Sequence, residues 1–252
     1  MNVNSNLLLA ILLILFAIIF LKKTKETFDK DVNPLIVVMS CKKNSHLWNN
    51  ILAKNKNNLI IFYSDPNLKS KFNYSNRILC LKCRDTYDGL PEKVLCMIRA
   101  ILNIKEFNKY THIFKVDDHD TKISETIYDE LKYKLSNEIN YGGQTVHNHR
   151  YKFYNNYEKD GTWHFDKCPK DSYWENKEYK GYYAPYTDGG CGYILSKLSM
   201  KLIDSSLSQN LDNIYHTHIY EDLMIGLTLY RNNINPMKLN KLIVGDKWVC
   251  NH

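Results

Sequence analysis

His112-Ile113-Phe114-Lys115-Val116-Asp117-Asp118-His119-Asp120 is the stretch from which the fold of this chain can be read. The apolar run from His112 to Val116 has the length and β-branched, aromatic content of a strand. It gives way at once to three carboxylates and an imidazole. In open α/β sheets ligands gather beyond the carboxyl ends of parallel strands, which is where these acids fall. Close carboxylates repel one another, and a hard divalent cation that also bridges phosphate oxygens relieves that conflict. The plainer alternative is an acidic loop capping a helix that begins near Ser124, although a cap uses a single such residue.

Working outward, similar short apolar runs occur at Leu35 to Met39, Leu59 to Tyr63 and Ile78 to Leu81, separated by helix-compatible stretches. One of these, Pro91 to Asn103, carries Val94, Leu95, Ile98, Ile101 and Leu102 at helical spacing, with Pro in the first turn. The alternation predicts an α/β domain with a mostly parallel central sheet. Tyr151 to Tyr186 is crowded with Tyr, Trp, Asn and Lys and has no periodicity, so it reads as long loops with room for a hairpin. No internal repeat is visible.

At 252 residues, 44% hydrophobic and 24% charged, the chain suits one globular domain with a sizeable core. That excludes a disordered tail, a collagen and a disulfide-knotted miniprotein. Lys plus Arg outnumber Asp plus Glu by 34 to 27, but the basic residues are spread along the chain, so no nucleic-acid partner is expected. Abundant Lys, Asn, Ile and Tyr is what an AT-rich genome, such as that of a large DNA virus, writes into solvated surfaces. The 7 cysteines offer one close pair, Cys80 and Cys83, which suits buried thiols or a disulfide better than a zinc site lacking its second half.

Leu7 to Leu21 is an unbroken apolar run followed by Lys22, Lys23 and Lys25. As a helix it spans roughly 22 Å, short of the ~30 Å hydrocarbon core. Met1 to Asn6 has no basic side chain and no small-residue cleavage pattern follows, so an uncleaved short anchor is expected over a signal peptide or a soluble amphipathic helix. The organisation expected is a membrane anchor at 1–21, a polar stalk at 22–34 and a catalytic domain at 35–252. The flanking lysines, by the positive-inside rule, hold that domain on the cytoplasmic side.

Two further motifs carry chemistry. Tyr186-Thr187-Asp188-Gly189-Gly190-Cys191-Gly192-Tyr193 has three glycines in four positions, which permits close backbone approach by a ligand, or simply a tight turn. Tyr220-Glu221-Asp222-Leu223-Met224-Ile225-Gly226 places an acid pair at the start of an apolar helix, where helix-dipole complementarity alone accounts for it.

In this order, the motifs resemble those of the β-1,3-glycosyltransferases, the fringe-like and β-1,3-galactosyl- and N-acetylglucosaminyltransferases with the GT-A fold. The family's D-[S/T]-Y-x-x-L-x-x-K is similar to Asp85-Thr86-Tyr87-Asp88-Gly89-Leu90-Pro91-Glu92-Lys93. Its K-x-D-D-D resembles Lys115 to His119, its P-Y-x-x-G-x-G-Y-x-L-S resembles Pro185 to Ser196 with one extra residue, and its E-D-V-x-x-G resembles Glu221 to Gly226. The third aspartate of the triplet is His119 here, and Asp120 follows it.

The resemblance implies an inverting transfer of galactose, N-acetylglucosamine or a similar sugar from a UDP-sugar to a hydroxyl of a glycan or glycoprotein acceptor. Mn²⁺ or Mg²⁺ would sit on Asp118 and Asp120, or on a shifted Asp117-Asp118-His119, with His252 completing the site. Asp222 would be the catalytic base. Asp85, Lys93, Asp117, Asp118, Gly190, Gly192 and Glu221 would face the bound donor. Trp163, Trp174, Tyr179, Tyr182 and Tyr183, with Tyr151 and Tyr154, would either line an acceptor rim or pack a core. It also implies a single-span protein with its domain in the Golgi or endoplasmic reticulum lumen, against the cytoplasmic or virus-associated placement that the lysines favour. The rival classes are a metal-dependent phosphohydrolase, which leaves the Gly-rich and Glu-Asp motifs without a role, and a catalytically silent carbohydrate-binding relative.

Overall fold

The structure is a computed structural model that describes residues 32–54, 58–118, 127–135, 138–143, 146–147, 161–208 and 210–239. The expected anchor, the stalk up to residue 31, and His119, Asp120 and His252 lie outside the described residues. Among the described residues no helix is long and apolar enough to cross a membrane.

The strands are β1 (Pro34–Met39), β2 (Leu59–Ser64), β3 (Phe72–Ser75), β4 (Ile78–Leu81), β5 (His112–Asp117), β6 (Tyr141–Gly143), β7 (Val146–His147), β8 (Tyr186–Thr187), β9 (Tyr193–Ser196) and β10 (Met237–Lys238). The helices are α1 (Trp48–Lys54), α2 (Leu90–Asn103), α3 (Ile127–Lys134), α4 (Lys197–Ser206), α5 (Leu211–Thr217) and α6 (Glu221–Arg231). Eight strands form one sheet in the order β10-β6-β9-β5-β1-β2-β4-β3, and β7 pairs with β8 beside it. The central strands β5, β1, β2 and β4 run parallel, as the alternating sequence predicts. The flanks depart from that expectation, because β9 is antiparallel to both β5 and β6, and β3 is antiparallel to β4. For β3 and β4 the cause is a tight turn at Asn76 and Arg77, a connection that only an antiparallel pair allows.

Burial on both faces explains why the central strands read as unbroken apolar runs. Leu35, Val37, Ile60, Phe62 and Ile113 point to the face covered by α2, α4 and α6. Ile36, Val38, Leu59, Ile61, Phe114 and Val116 point to the opposite face, toward α1 and α3. The period of two along β5 therefore sends Lys115 and Asp117 to the first face and Asp118 to the other side. From β1 the chain moves one way to β2 and β4, then returns to place β5 on β1's other flank. The order of strands reverses there, and at such a switch point the loops diverge and leave a crevice.

A third cluster, built on Trp174, Tyr179, Tyr186, Tyr215, Ile219, Tyr220 and Leu223, gives the aromatic segment its structure. Trp174 Nε1 donates to the Tyr215 carbonyl, and the fully buried His164 joins the Tyr220 hydroxyl to the Lys177 carbonyl. Of the two readings open for the aromatic residues, core packing holds for Trp174 and Tyr179, which are buried against α5 and α6. Tyr182 is exposed and lies against Tyr230. Cys80 and Cys83 are free buried thiols, while Cys191 is disulfide-bonded.

Candidate active site

The site forms where β5, the Asp188–Gly192 turn and the start of α6 meet. Lys115 is completely buried on β5. Its Nζ donates to Asp117 Oδ1 at 2.7 Å, Glu221 Oε1 at 2.9 Å and the Gly189 carbonyl at 3.2 Å. Burial pulls the ammonium toward neutrality, but the charges of Asp117 and Glu221 outweigh it and hold Lys115 protonated, above its ordinary range. Glu221 takes a second hydrogen bond, from the Tyr193 hydroxyl at 2.7 Å. Burial, opposed by Lys115 and reinforced by the charge of Asp222, raises the Glu221 carboxyl above the usual carboxylate range.

Asp222 is held differently. Its Oδ2 accepts from the Gly189 N–H at 3.1 Å and its Oδ1 from the Leu223 N–H at 2.8 Å. These two backbone bonds, one to each oxygen, fix the direction of the carboxylate. Gly189 packs tightly on the acid pair, since a Cβ there would lie 2.5 Å from Glu221 Oε1. Gly192 answers a different demand: its φ is +78°, and a Cβ would lie 2.8 Å from the Lys115 carbonyl oxygen. Close approach of backbone to backbone accounts for Gly192, and it does not line the cavity.

That cavity has a volume of about 380 Å³ and is lined in part by Asp117, Asp188, Gly190, Glu221, Asp222 and Tyr87. Trp163 and Lys167 close another side, with the Lys167 ammonium 3.4 Å from the centre of the Trp163 ring. Burial pushes the Tyr87 hydroxyl well above its ordinary range, helped by Asp222, so it remains a proton donor. Four carboxylates, Asp117, Asp188, Glu221 and Asp222, face two lysines, 115 and 167, on its walls. The cavity is acidic although the chain as a whole carries a net charge of +7. An anionic substrate meets repulsion here unless a cation enters with it.

Across Asp117 lies a second, smaller cleft of about 150 Å³ formed by Met39, Ser40, Cys41, Asn44, Leu90, Lys93 and Asp118. Asp118 Oδ2 accepts from Ser40 Oγ at 2.6 Å and from Asn44 Nδ2 at 2.8 Å. Trp48 Nε1 donates to the same Ser40 hydroxyl. Lys93, buried at one wall, donates to the Ser40 carbonyl at 2.5 Å and to Asp85 Oδ1 at 2.6 Å. Asp85 also caps the Lys42 and Ser64 N–H groups. Lys93 and Asp85 therefore brace the loop after β1 from behind, and only Lys93 borders the cleft.

The structure thus brings Asp117, Asp118, Gly190, Glu221 and Asp222 to two adjoining cavities that share Met39, Leu90 and Asp117, with Asp85 and Gly192 supporting them. Among the described residues no group of three His, Cys, Asp or Glu side chains is arranged to hold a metal. Lys115, Asp188 and Tyr193 fall inside the motifs read from the sequence, whereas Ser40, Asn44 and Lys167 were not expected as site residues. For Lys115 the available signal is a lone lysine two positions before an acid in an otherwise apolar strand. Ser40, Asn44 and Lys167 come from distant segments and leave no local pattern.

A mostly parallel sheet with acids at its switch point and an acid pair opening the helix opposite fits a GT-A-like fold. Residues 69–240 match the galactosyltransferase family. The chain belongs to that β-1,3-galactosyltransferase-like family and is a glycosyltransferase, a class that joins a sugar donor to a glycan acceptor. No curated protein matches the chain.

Proposed function

We propose that the protein moves one sugar, galactose, N-acetylglucosamine or a similar hexose, from a UDP-sugar to a hydroxyl of a glycan or glycoprotein, with inversion and most simply in β-1,3 linkage. The observation that carries this reading is the position of Asp222, oriented by two backbone N–H groups on the wall of an acidic cavity that shares Asp117 with the cleft of Asp118. Asp222 accepts the proton of the acceptor hydroxyl as that oxygen attacks the anomeric carbon from the face opposite the leaving group. Glu221 is a poorer base, because Lys115 and Tyr193 engage both of its oxygens. Tyr87 keeps its proton and can donate to a substrate oxygen, and Trp163 offers a flat apolar face at the mouth.

The donor set suits Mn²⁺ or Mg²⁺. Asp118 is a hard oxygen ligand whose orientation is set by Ser40 and Asn44, the kind of outer-shell support that metal-binding carboxylates use. Asp120 and His252 would complete the set. A divalent ion bound there supplies positive charge for the diphosphate that departs. The apolar run at Leu7 to Leu21 supports anchoring in a membrane, and the family resemblance favours a lumenal domain over the cytoplasmic or virus-associated placement.

The test is a donor panel of UDP-sugars with Mn²⁺, reading free UDP against acceptor-linked product. The expected result is turnover with at least one donor, abolished by EDTA and restored by Mn²⁺. Asp222→Asn should lower transfer by about 10²- to 10⁴-fold, the range for loss of a positioned general base, while UDP binding stays near native. Near-normal transfer by that variant would falsify the role of Asp222.

A further inference from the structure

We propose that Lys115 is a positioning residue that divides the labour of the two adjacent acids on α6, tying up Glu221 and aiming Asp222 at the cavity; this rests on the transferase reading above. A buried ammonium without partners costs several kcal/mol. Lys115 offsets that cost with three hydrogen bonds to three separate elements: its own strand through Asp117, the glycine turn through the Gly189 carbonyl, and α6 through Glu221. An ammonium has three N–H donors, so its capacity is filled. The Tyr193 ring lies 5.5 Å from Nζ, and its hydroxyl reaches past to the other oxygen of Glu221.

Gly189 connects this network to the base. Its carbonyl accepts from Lys115 while its N–H donates to Asp222 Oδ2, so one residue of backbone separates the ammonium from the catalytic carboxylate. A Cβ there would lie 2.5 Å from Glu221 Oε1, so a larger residue would displace that carboxylate from Lys115. Without Lys115, Glu221 becomes a buried acid bonded only through Tyr193, the glycine turn loses its anchor, and Asp222 loses its fixed direction. Glu221 then competes for the proton that Asp222 should take.

The experiment is a double-mutant cycle in the full chain: Lys115→Met, Glu221→Gln and both together, with kcat and acceptor KM measured for the best UDP-sugar. Lys115→Met is expected to lower kcat about 100-fold with KM changed less than about threefold, the split expected when orientation in the transition state is lost and ground-state binding is kept. The double variant should be no worse than the poorer single, because both changes break one network. Losses that multiply, or a Lys115→Met variant within about threefold of wild type, overturn the proposal. Tyr193→Phe keeps the charge and tests the same network if Lys115→Met does not fold; about a tenfold lower kcat is expected, the scale of one hydrogen bond, and an unchanged kcat overturns it. Should the wild type transfer from no UDP-sugar, the transferase reading falls by itself. Amide exchange then decides the positioning role: in Lys115→Met, or in Tyr193→Phe if the former does not fold, the Gly189 N–H should exchange at least about tenfold faster while β1 and β2 amides do not change. Unchanged exchange at Gly189 rules the role out.

Discussion

His218 closes α5, with its ring half-buried and no partner for Nδ1 among the described residues. Burial, with the positive charge of Arg231 nearby, lowers its pKa to about 4. The folded state therefore binds its proton more weakly than the unfolded chain does. The stability this neutral ring contributes is complete above roughly pH 6.5 and is lost as pH falls toward 4. Between pH 7 and pH 5 the loss is roughly 2 kcal/mol for a shift of this size. His112, buried on β5, is lowered in the same direction by the same cause. Urea unfolding at the two pH values should show a stability loss for His218→Gln smaller than that of the wild type by about that amount. Equal losses would exclude His218 as a source of acid sensitivity. The contrast between His218 and Lys115 shows why single residues are hard to judge from sequence. Both are basic side chains taken out of water, yet one is discharged and the other is charged, because only Lys115 meets carboxylates, its neighbour Asp117 and, from 106 residues away, Glu221.

Elements were legible in proportion to their length and burial. The runs at residues 35–39, 59–63, 78–81 and 112–116 are β1, β2, β4 and β5 to within a residue or two, and Pro91 to Asn103 is α2. These strands are covered on both faces, so hydrophobicity alone marks them. The short strands β6 to β8 and β10 carry no such mark; β6 contains two glycines, and a Cβ on Gly142 would collide with the Met237 carbonyl of β10. The β3–β4 hairpin was missed because its turn is Asn76-Arg77, with both residues at positive φ and no glycine to announce it. That hairpin places β3 at one end of the sheet, where Asn73 and Ser75 are exposed while Phe72 and Tyr74 pack inward. Asn73-Tyr74-Ser75 is an N-glycosylation sequon on an outward-facing strand. Expression in a eukaryotic secretory system should yield a glycan on Asn73, seen as a glycosidase-sensitive mobility shift that Asn73→Gln removes. Because both polar side chains face solvent, that variant should change stability by no more than about 0.5 kcal/mol. An unglycosylated chain whose domain is protease-sensitive from the cytosolic side would count against lumenal placement.

At the scale of the whole molecule, the boundary of the folded unit can be drawn from how β1 is tied in. Val32 already packs in the core beneath α1 and α3. Asn33 donates its N–H to Thr111 Oγ1 at 2.9 Å and its side-chain amide to the Lys109 carbonyl, and it accepts from Tyr128 Oη and from the Thr111 N–H. Pro34 and Leu35 then open the pairing of β1 with β5, the strand that carries Lys115 and Asp117. A fragment 32–252 keeps every one of these contacts, so it is expected to fold and to unfold within about 4 °C of the longer chain, the shift that roughly 1 kcal/mol produces at this size. Removing four residues more is a different matter. A fragment 36–252 exposes the surfaces that Val32 and Leu35 cover, about 1.5–3 kcal/mol each. It also breaks the Asn33 bonds, at about 1 kcal/mol apiece. The sum of roughly 6 kcal/mol or more rivals the total stability of a domain. The shorter fragment should therefore lack a cooperative thermal transition, and a sharp melt from it would mean that β1 takes its strength from Ile36 to Met39 alone.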